Sequence, residues 1–208
     1  MNARSTRRGS LFVIAAPSGA GKTSLVKAVL DRDPSLRVSI SHTTRKQRPS
    51  EVPGQHYHFI DVDEFKRLRD AGEFLEHAQV FDNFYGTGRA QVEALRNAGH
   101  DVILEIDWQG ARQVRAAQPD AHTVFILPPS RGELEARLRN RKTDSEEVIA
   151  RRLRDCIADM SHYAEFDSVI VNQDFEIAVG QLLQVLRGSQ DFRSTRESLN
   201  PLVAALLA

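Results

Sequence analysis

The sequence has a single cysteine, Cys156, among its 208 residues. One cysteine excludes an intramolecular disulfide and a multi-cysteine metal site, and it suits a reducing compartment. We therefore expect a cytoplasmic protein in which Cys156 packs into the core from one face of a helix.

Long apolar runs are also missing. No stretch of the sequence approaches the roughly 20 apolar residues that are needed to span a bilayer. The apolar run at residues 11–16 is too short for a signal peptide and leads directly into a glycine-rich segment. We expect no membrane partner.

The chain carries no net charge, because 28 Lys and Arg residues balance 28 Asp and Glu residues. Without a global positive field we expect no nucleic-acid partner, and any anion must be bound by arginines that cluster locally. With 41% hydrophobic and 27% charged residues, the composition is typical of a globular protein. The length predicts a single domain over residues 1–208 with inserted lobes.

A glycine-rich segment follows the apolar run and indicates a phosphate-binding loop between a strand and a helix. Gly19 and Gly21 allow backbone N–H groups to turn toward an anion. Lys22 can reach the β- and γ-phosphates, and the Thr23 hydroxyl can hold Mg²⁺. A glycine-rich turn that only happens to precede a lysine is the alternative, and the strand and helix on either side disfavour it. The predicted phosphate-binding residues are Ala16, Pro17, Ser18, Gly19, Ala20, Gly21, Lys22, Thr23 and Ser24.

Strands and helices alternate along the rest of the chain, which predicts the α/β class with a central parallel sheet flanked by helices. Residues 101–107 are predicted to form a buried strand that places Glu105 and Asp107 on one face near its carboxyl end, where open α/β sheets bind ligands. Further strands are predicted at 124–127 and 169–171, helices at 133–141 and 145–163, and a packing helix or a partner contact at 199–207.

A second anion site is predicted in the segment that begins at residue 41. Arg45 and Arg48 can hold a phosphate with forked donors, and Ser41 and Tyr57 can add hydroxyl groups. Taken alone, two loop arginines more often form a solvated face. Residues 51–59 contain a turn followed by an alternating, strand-like pattern.

Ordered motifs over nearly the whole chain resemble the guanylate kinases, most closely the bacterial GMP kinases. They are APSGAGKT, SHTTRKQRP, GQHYHF, FLEHA, NFYGT, ILEIDWQG, ILPPS and RLRNRKTDSEEVIARRL. The resemblance implies a P-loop nucleoside monophosphate kinase fold, which transfers the γ-phosphoryl group of ATP to GMP with Mg²⁺. It also implies a core at about 9–43, 90–130 and 148–208, a GMP-binding lobe at about 44–89 and a mobile lid at about 131–147.

The resemblance also implies roles for individual residues. Lys22, Arg45, Arg137, Arg141 and Arg152 are the implied catalytic residues, and the last three would close over the phosphates of ATP. The phosphate of GMP would be bound by Arg45, Arg48 and Tyr57, with Ser41 and Tyr85 nearby. Since Arg137 and Arg141 lie four residues apart on a charged helix, surface solvation is the alternative for them.

Guanine presents N1–H and an exocyclic amino group as neighbouring donors, which one carboxylate can accept together. By the family's pattern, Glu76 is that carboxylate and Thr87 donates to O6. Glu105 stands where the family commonly has Asp beside the purine, and Lys142 stands where relatives often have Gly in the lid. The predicted GMP-binding residues are Ser41, Arg45, Arg48, Tyr57, Glu76, Tyr85, Thr87, Glu105 and Asp107.

Thr23 is the expected Mg²⁺ ligand, and Asp107 is expected to act near the metal through water. Residues 107–110 also match the D-x-x-G of regulatory GTPases, but the N-K-x-D motif that should follow is missing. For Asn172 two interpretations stay open, a contact with the adenine of ATP and a turn asparagine that closes a strand.

Two other functions are alternatives to this one. A guanylate-kinase-like scaffold module would bind protein partners and would not need the complete phosphate-binding residues. A kinase for a ribose bisphosphate would share the loop but would not need Glu76 and Thr87. The sequence leaves homo-oligomer formation open.

Overall fold

The computed structural model describes residues 7–80, 82–140, 146–188 and 196–208, with the backbone alone described at 196–198. These residues form two compact units, which are described separately. The first comprises the described residues within 1–13, 34–104 and 109–121, and the second those within 14–33, 105–108 and 122–208.

A five-stranded sheet has the strand order β2-β7-β1-β8-β9. The pairs β2–β7 and β8–β9 are parallel, and all five residues of β1 are buried, as expected for a strand covered on both faces. The predicted α/β class with a central parallel sheet is therefore confirmed. The strands are β1 Leu11–Ala15, β2 Leu36–Val38, β7 Asp101–Glu105, β8 His122–Leu127 and β9 Ser168–Val171.

A second sheet of four strands lies in the first unit, in the order β4-β3-β6-β5. Strands β5 and β6 form an antiparallel hairpin, and β3 pairs antiparallel with β6 and parallel with β4. A buried cluster of Phe65, Leu68 and Phe74 packs with Ile60 and Phe84. The strands are β3 His42–Thr43, β4 His58–Phe59, β5 Phe74–Val80 and β6 Asn83–Gly88.

Several helices begin at residues whose side chains accept a hydrogen bond from the first turn. Asp61, Ser130 and Asp174 cap α2, α5 and α7 in this way. The helices are α1 Lys22–Arg32, α2 Val62–Asp70, α3 Arg89–Asn97, α4 Trp108–Ala117, α5 Arg131–Arg139, α6 Glu146–Met160, α7 Phe175–Leu186 and α8 Arg196–Leu207, with a 3₁₀ turn at Ser161–Glu165. None of the helices within the described ranges is long and apolar enough to cross a membrane.

Three predictions about local structure can be compared with these elements. The strand predicted at 101–107 ends at Glu105, because the chain turns into α4 at Trp108; Asp107 therefore lies in the connection, and the predicted alternation does not reach it. Cys156 is 1% exposed on α6, which confirms it as a core residue. The segment predicted at 199–207 belongs to α8, where Val203 and Leu206 are buried, so it is a packing helix.

Candidate functional site

The phosphate-binding loop predicted at residues 16–21 connects β1 to α1 in the second unit. Gly19 and Gly21 have φ angles of 90° and 94°, a region that side chains other than glycine rarely adopt. Helix α1 begins at Lys22, and no side chain of its N-cap residue accepts from its first turn. The backbone N–H groups at such a helix start attract an anion.

Contacts with α5 and α6 fix the back of this loop. A Cβ atom at Gly19 would lie 3.1 Å from Leu134 Cδ1 and 3.3 Å from Leu138 Cδ2, so a larger residue there would press against the leucines of α5. The thiol of Cys156 donates to the carbonyl oxygen of Ser18 at 3.2 Å. The loop is therefore held in place from the side of the protein core.

Asn172 and Arg137 contact Ala20 of the loop. Asn172 is 4% exposed, and its side-chain nitrogen donates to the carbonyl oxygen of Ala20 at 2.8 Å. The guanidinium of Arg137 lies 3.5 Å from the same oxygen and 3.4 Å from the carbonyl oxygen of Asn172. Glu133 accepts from Nε of Arg137 at 2.8 Å. These contacts place a cation beside the loop.

Lys22 and Thr23 lie at the start of α1, close to the end of β7. Lys22 Nζ donates to the carbonyl oxygen of Ile106 at 2.8 Å. Burial raises the pKa of Glu105, while the charge of Lys22 and a hydrogen bond with Thr23 oppose that shift. Oε1 of Glu105 is buried and has no hydrogen-bond partner among the described residues. A carboxylate oxygen, a hydroxyl group and an ammonium group thus lie together.

Asp107 is followed by an aromatic and acidic cluster at the start of α4. Trp108 Nε1 donates to Asp159 at 2.9 Å, and the Trp108 ring stacks on His162 with 3.6 Å between ring centroids. Burial raises the pKa of Asp159 to about 6, and the charges of Asp107 and Asp155 add to this effect. The sequence prediction included Asp107 but missed Asp159, because nothing near position 159 in the sequence points to Trp108.

In the first unit, the four-stranded sheet brings together three of the predicted GMP-binding residues. Thr87 donates to Oε1 of Glu76 at 2.5 Å, and the hydroxyl groups of Ser41 and Thr87 are 3.2 Å apart. Glu76 and Thr87 are directly opposite each other on β5 and β6. The three side chains are buried, with exposures of 3% for Glu76, 0% for Thr87 and 9% for Ser41.

Arg45 lies in an aromatic and acidic surrounding in the same unit. Its guanidinium contacts both carboxylate oxygens of Glu51, at 2.7 and 3.1 Å, and lies 5.4 Å from the centre of the Tyr57 ring. It also shares a hydrogen bond with Tyr85. Burial would raise the pKa of Glu51, but Arg45 and the backbone N–H of Arg48 outweigh it and lower that pKa.

Glu51 was missed by the sequence analysis. Its signal was an acidic residue six positions after Arg45 in an otherwise basic segment. Arg48 itself is exposed. The structure therefore brings Arg45, Tyr57 and Tyr85 together, with Glu51 as an additional partner of the arginine.

Not all predicted residues belong to the groups that are formed by Ser41, Glu76 and Thr87 and by Arg45, Tyr57 and Tyr85. Arg152 lies half-buried on α6, and Arg141 and Lys142 lie outside the described residues. Glu105 and Asp107 belong to the second unit, whereas the other seven predicted GMP-binding residues belong to the first. Among the described residues, no group of three or more His, Cys, Asp or Glu side chains could hold a metal ion by itself.

Comparison with known proteins gives concordant results. A family model described as guanylate kinase matches residues 8–189. The guanylate kinase of Chromohalobacter salexigens is 55% identical over 203 residues, which cover 97% of this chain and 94% of the relative. That of Escherichia coli K12 is 50% identical over 205 residues, with 97% and 99% covered. A crystal structure of guanylate kinase from Anaplasma phagocytophilum matches with a TM-score of 0.74 at 33% identity, covering 94% of this chain and 95% of that one.

Proposed function

The chain belongs to the guanylate kinase family, and from this premise we propose that it transfers the γ-phosphoryl group of ATP to GMP, giving ADP and GDP. We extend the proposal to dGMP, because the contacts assigned below involve the base and the phosphate. The observation that carries the choice of acceptor is the buried carboxylate of Glu76, which accepts from Thr87. A kinase for another acceptor would not need this pair.

The donor part of the proposed site is the loop at residues 16–21 with the start of α1. Its glycines let N–H groups face the phosphates, and Lys22 neutralises charge that develops on the transferring group. Arg137 is already next to the loop, which supports a role on the same phosphates. We assign Arg141 and Arg152 to that role from the family's pattern alone.

The acceptor base is assigned to Glu76 and Thr87, with Ser41 beside them. A buried carboxylate accepts hydrogen bonds from the N1–H and the amino group of guanine. Adenine would instead present the lone pair of its N1 to the carboxylate. A site built on such hydrogen bonds discriminates by roughly 10⁴-fold, because the wrong base leaves buried polar groups unpaired. Glu105 is included as a contact near the purine, and this role stays a proposal.

The acceptor phosphate is assigned to Arg45 and Arg48, with hydroxyl donors from Tyr57 and Tyr85. A phosphate oxygen of GMP is ionised at neutral pH, so the reaction needs no activated side-chain nucleophile. It does need cations that bring two anions together. The contacts of Arg45 with Glu51 and Tyr57 support a pre-oriented guanidinium.

Mg²⁺ is the implied metal, and the residues present fit it. The Thr23 hydroxyl lies beside Glu105, whose buried Oε1 has no partner among the described residues, and such oxygen ligands suit Mg²⁺. We propose that Thr23 holds the ion and that Asp107 acts on it through water. When bound, the ion would neutralise charge on the β- and γ-phosphate oxygens.

The division into a core, a GMP-binding lobe at about 44–89 and a lid at about 131–147 also remains a proposal, as does closure of the lid on the two nucleotides. Closure would exclude water, which otherwise competes with GMP as acceptor. Distances between fluorophores in the lobe, lid and core, measured with GMP and an ATP analogue separately and together, test it. Equal distances in all states would contradict it.

An assay of ADP release tests the function. The purified protein is given Mg²⁺-ATP and, in turn, GMP, dGMP, AMP, UMP and ribose phosphates. We expect activity with GMP and dGMP and little with the others. Activity with a ribose phosphate, or none at all, would instead favour the related kinase or the scaffold module.

We also propose a cytoplasmic location, on the basis of the single cysteine. The oligomeric state can be measured on the same purified protein.

A further inference from the structure

Asn172 is anchored at the end of the parallel sheet and reaches the phosphate-binding loop. It directly follows β9, and its backbone N–H donates to the carbonyl oxygen of Leu127 at 2.8 Å. Its side-chain nitrogen donates to the carbonyl oxygen of Ala20 at 2.8 Å, and both residues are buried. A hydrogen bond from such a fixed donor holds one loop carbonyl in one direction.

The direction of that carbonyl determines the direction of a phosphate-binding donor. In a planar trans peptide unit, the C=O and N–H bonds point to opposite sides. Because the carbonyl of Ala20 points to Asn172, the N–H of Gly21 in the same peptide unit must point away from Asn172. In a loop of this kind, an anion is bound by N–H groups that point away from the protein core.

The backbone at Gly21 lies against the side-chain amide of Asn172. A Cβ atom at Gly21 would lie 2.4 Å from the side-chain nitrogen of Asn172, and the φ angle of 94° disfavours any other residue there. The loop thus passes directly over this amide. The backbone carbonyl oxygen of Asn172 also accepts from Arg137 at 3.4 Å, a contact that does not depend on the side chain at position 172.

We propose that Asn172 is a positioning residue for phosphoryl transfer, whose side chain orients the Gly21 N–H toward the phosphates of the donor. The inference rests on the proposed function. It differs from a contact between Asn172 and adenine in one measurable way. A positioning residue acts on the phosphates, so its loss affects every nucleoside triphosphate equally, whereas a base contact affects ATP selectively.

The test compares Asn172→Ala, Asn172→Asp and wild type with ATP and UTP as donors. Asn172→Asp keeps the shape but replaces the donor with an acceptor that faces the Ala20 carbonyl. We expect kcat/KM to fall about ten- to a hundredfold, as for the loss of a buried hydrogen bond, and by the same factor for both donors. Binding of inorganic tripolyphosphate, followed by calorimetry, should weaken in parallel. Gln173→Ala, at an exposed neighbouring position, serves as the control and should leave all values unchanged.

The outcomes separate this inference from the proposed function. Wild type that does not phosphorylate GMP overturns the function itself. Active wild type with unchanged variants, or a loss confined to ATP with normal tripolyphosphate binding, overturns the positioning role. If neither variant folds, NMR of wild type decides: tripolyphosphate, which has no base, should shift both the Asn172 side-chain amide and the Gly21 amide. An Asn172 amide that responds only to adenosine would contradict the proposal.

Discussion

The two candidate nucleotide sites are built in different ways. In the second unit, one continuous segment supplies the loop, Lys22 and Thr23, and its backbone does most of the predicted binding. In the first unit, three strands and the residues before them each supply single side chains, such as Ser41, Glu76 and Thr87, which contact one another. The first design depends on backbone conformation, and the second depends on strand register.

This difference determines how each site should fail. A loop whose backbone conformation requires glycine tolerates few substitutions at those glycines. Its N–H groups belong to the backbone, however, so substitution of a neighbouring side chain does not remove them. A side-chain site loses its donor or acceptor with a single substitution. Variants of the site in the second unit should therefore lower the turnover rate, whereas variants of the site in the first unit should weaken the affinity for GMP.

Replacing Lys22 should have the largest effect. In Lys22→Ala the loop backbone remains, but charge on the transferring group loses its cation, so we expect turnover to fall at least about a hundredfold. The thermal midpoint should change little. Lys27→Ala is the matched control, because Lys27 is exposed on the same helix and pairs only with Asp31 in the described structure at 2.7 Å. Retention of more than about a tenth of the turnover would argue against the loop as the donor site.

Glu76→Gln tests the side-chain site. An amide presents an N–H group to the donors of guanine, so the KM for GMP should rise about ten- to a hundredfold while the KM for ATP stays the same, as is typical for hydrogen bonds to charged groups. Steady-state kinetics with each substrate varied will measure both. Glu73→Gln, an exposed carboxylate just before β5, is the control. An unchanged KM and rate for GMP would remove Glu76 from the base site.

Glu51→Gln should have a smaller effect in the same unit. Its carboxylate orients Arg45 through two hydrogen bonds, so we expect the KM for GMP to rise roughly threefold to tenfold with kcat nearly constant, since charge-assisted bonds of this kind orient as well as bind. Glu64→Gln removes a similar but exposed pairing with Arg67 and should change nothing. A lower KM in Glu51→Gln would mean that Glu51 competes with the phosphate.

Asp159→Asn should leave turnover unchanged and alter only the pH dependence of stability. Because burial raises the folded-state pKa of Asp159 to about 6 from 3.8, its contribution to stability is present below pH 4 and is lost as the pH rises through 6. The amide should still accept from Trp108. Relative to wild type, the variant should therefore gain on the order of 2 kcal/mol between pH 4 and pH 7.5. Urea unfolding at both pH values measures this, and a constant difference would contradict it.

The contrast between the two sites also explains what could be predicted from the sequence. The loop is local, so glycine spacing, Lys22 and the flanking strand and helix predicted it directly. The Glu76–Thr87 pair depends on the register of β5 and β6, which no local pattern determines, and it was predicted only through the resemblance to a family. Periodicity does not reveal the other features. The role of Asp159 depends on a contact with a residue that is distant in the sequence. The role of Glu51 and the strand end at Glu105 depend on how the chain turns.

The hydrogen bond between Cys156 and the Ser18 carbonyl gives the protein an intrinsic reporter. Because the chain has one thiol, and Cys156 is 1% exposed with its thiol against the back of the loop, a thiol-specific reagent can react only when the structure around Cys156 opens. When reclosing is faster than labelling, the labelling rate measures the population of the opened state. The unmodified protein thus carries its own probe of the donor loop, and no cysteine or label has to be introduced.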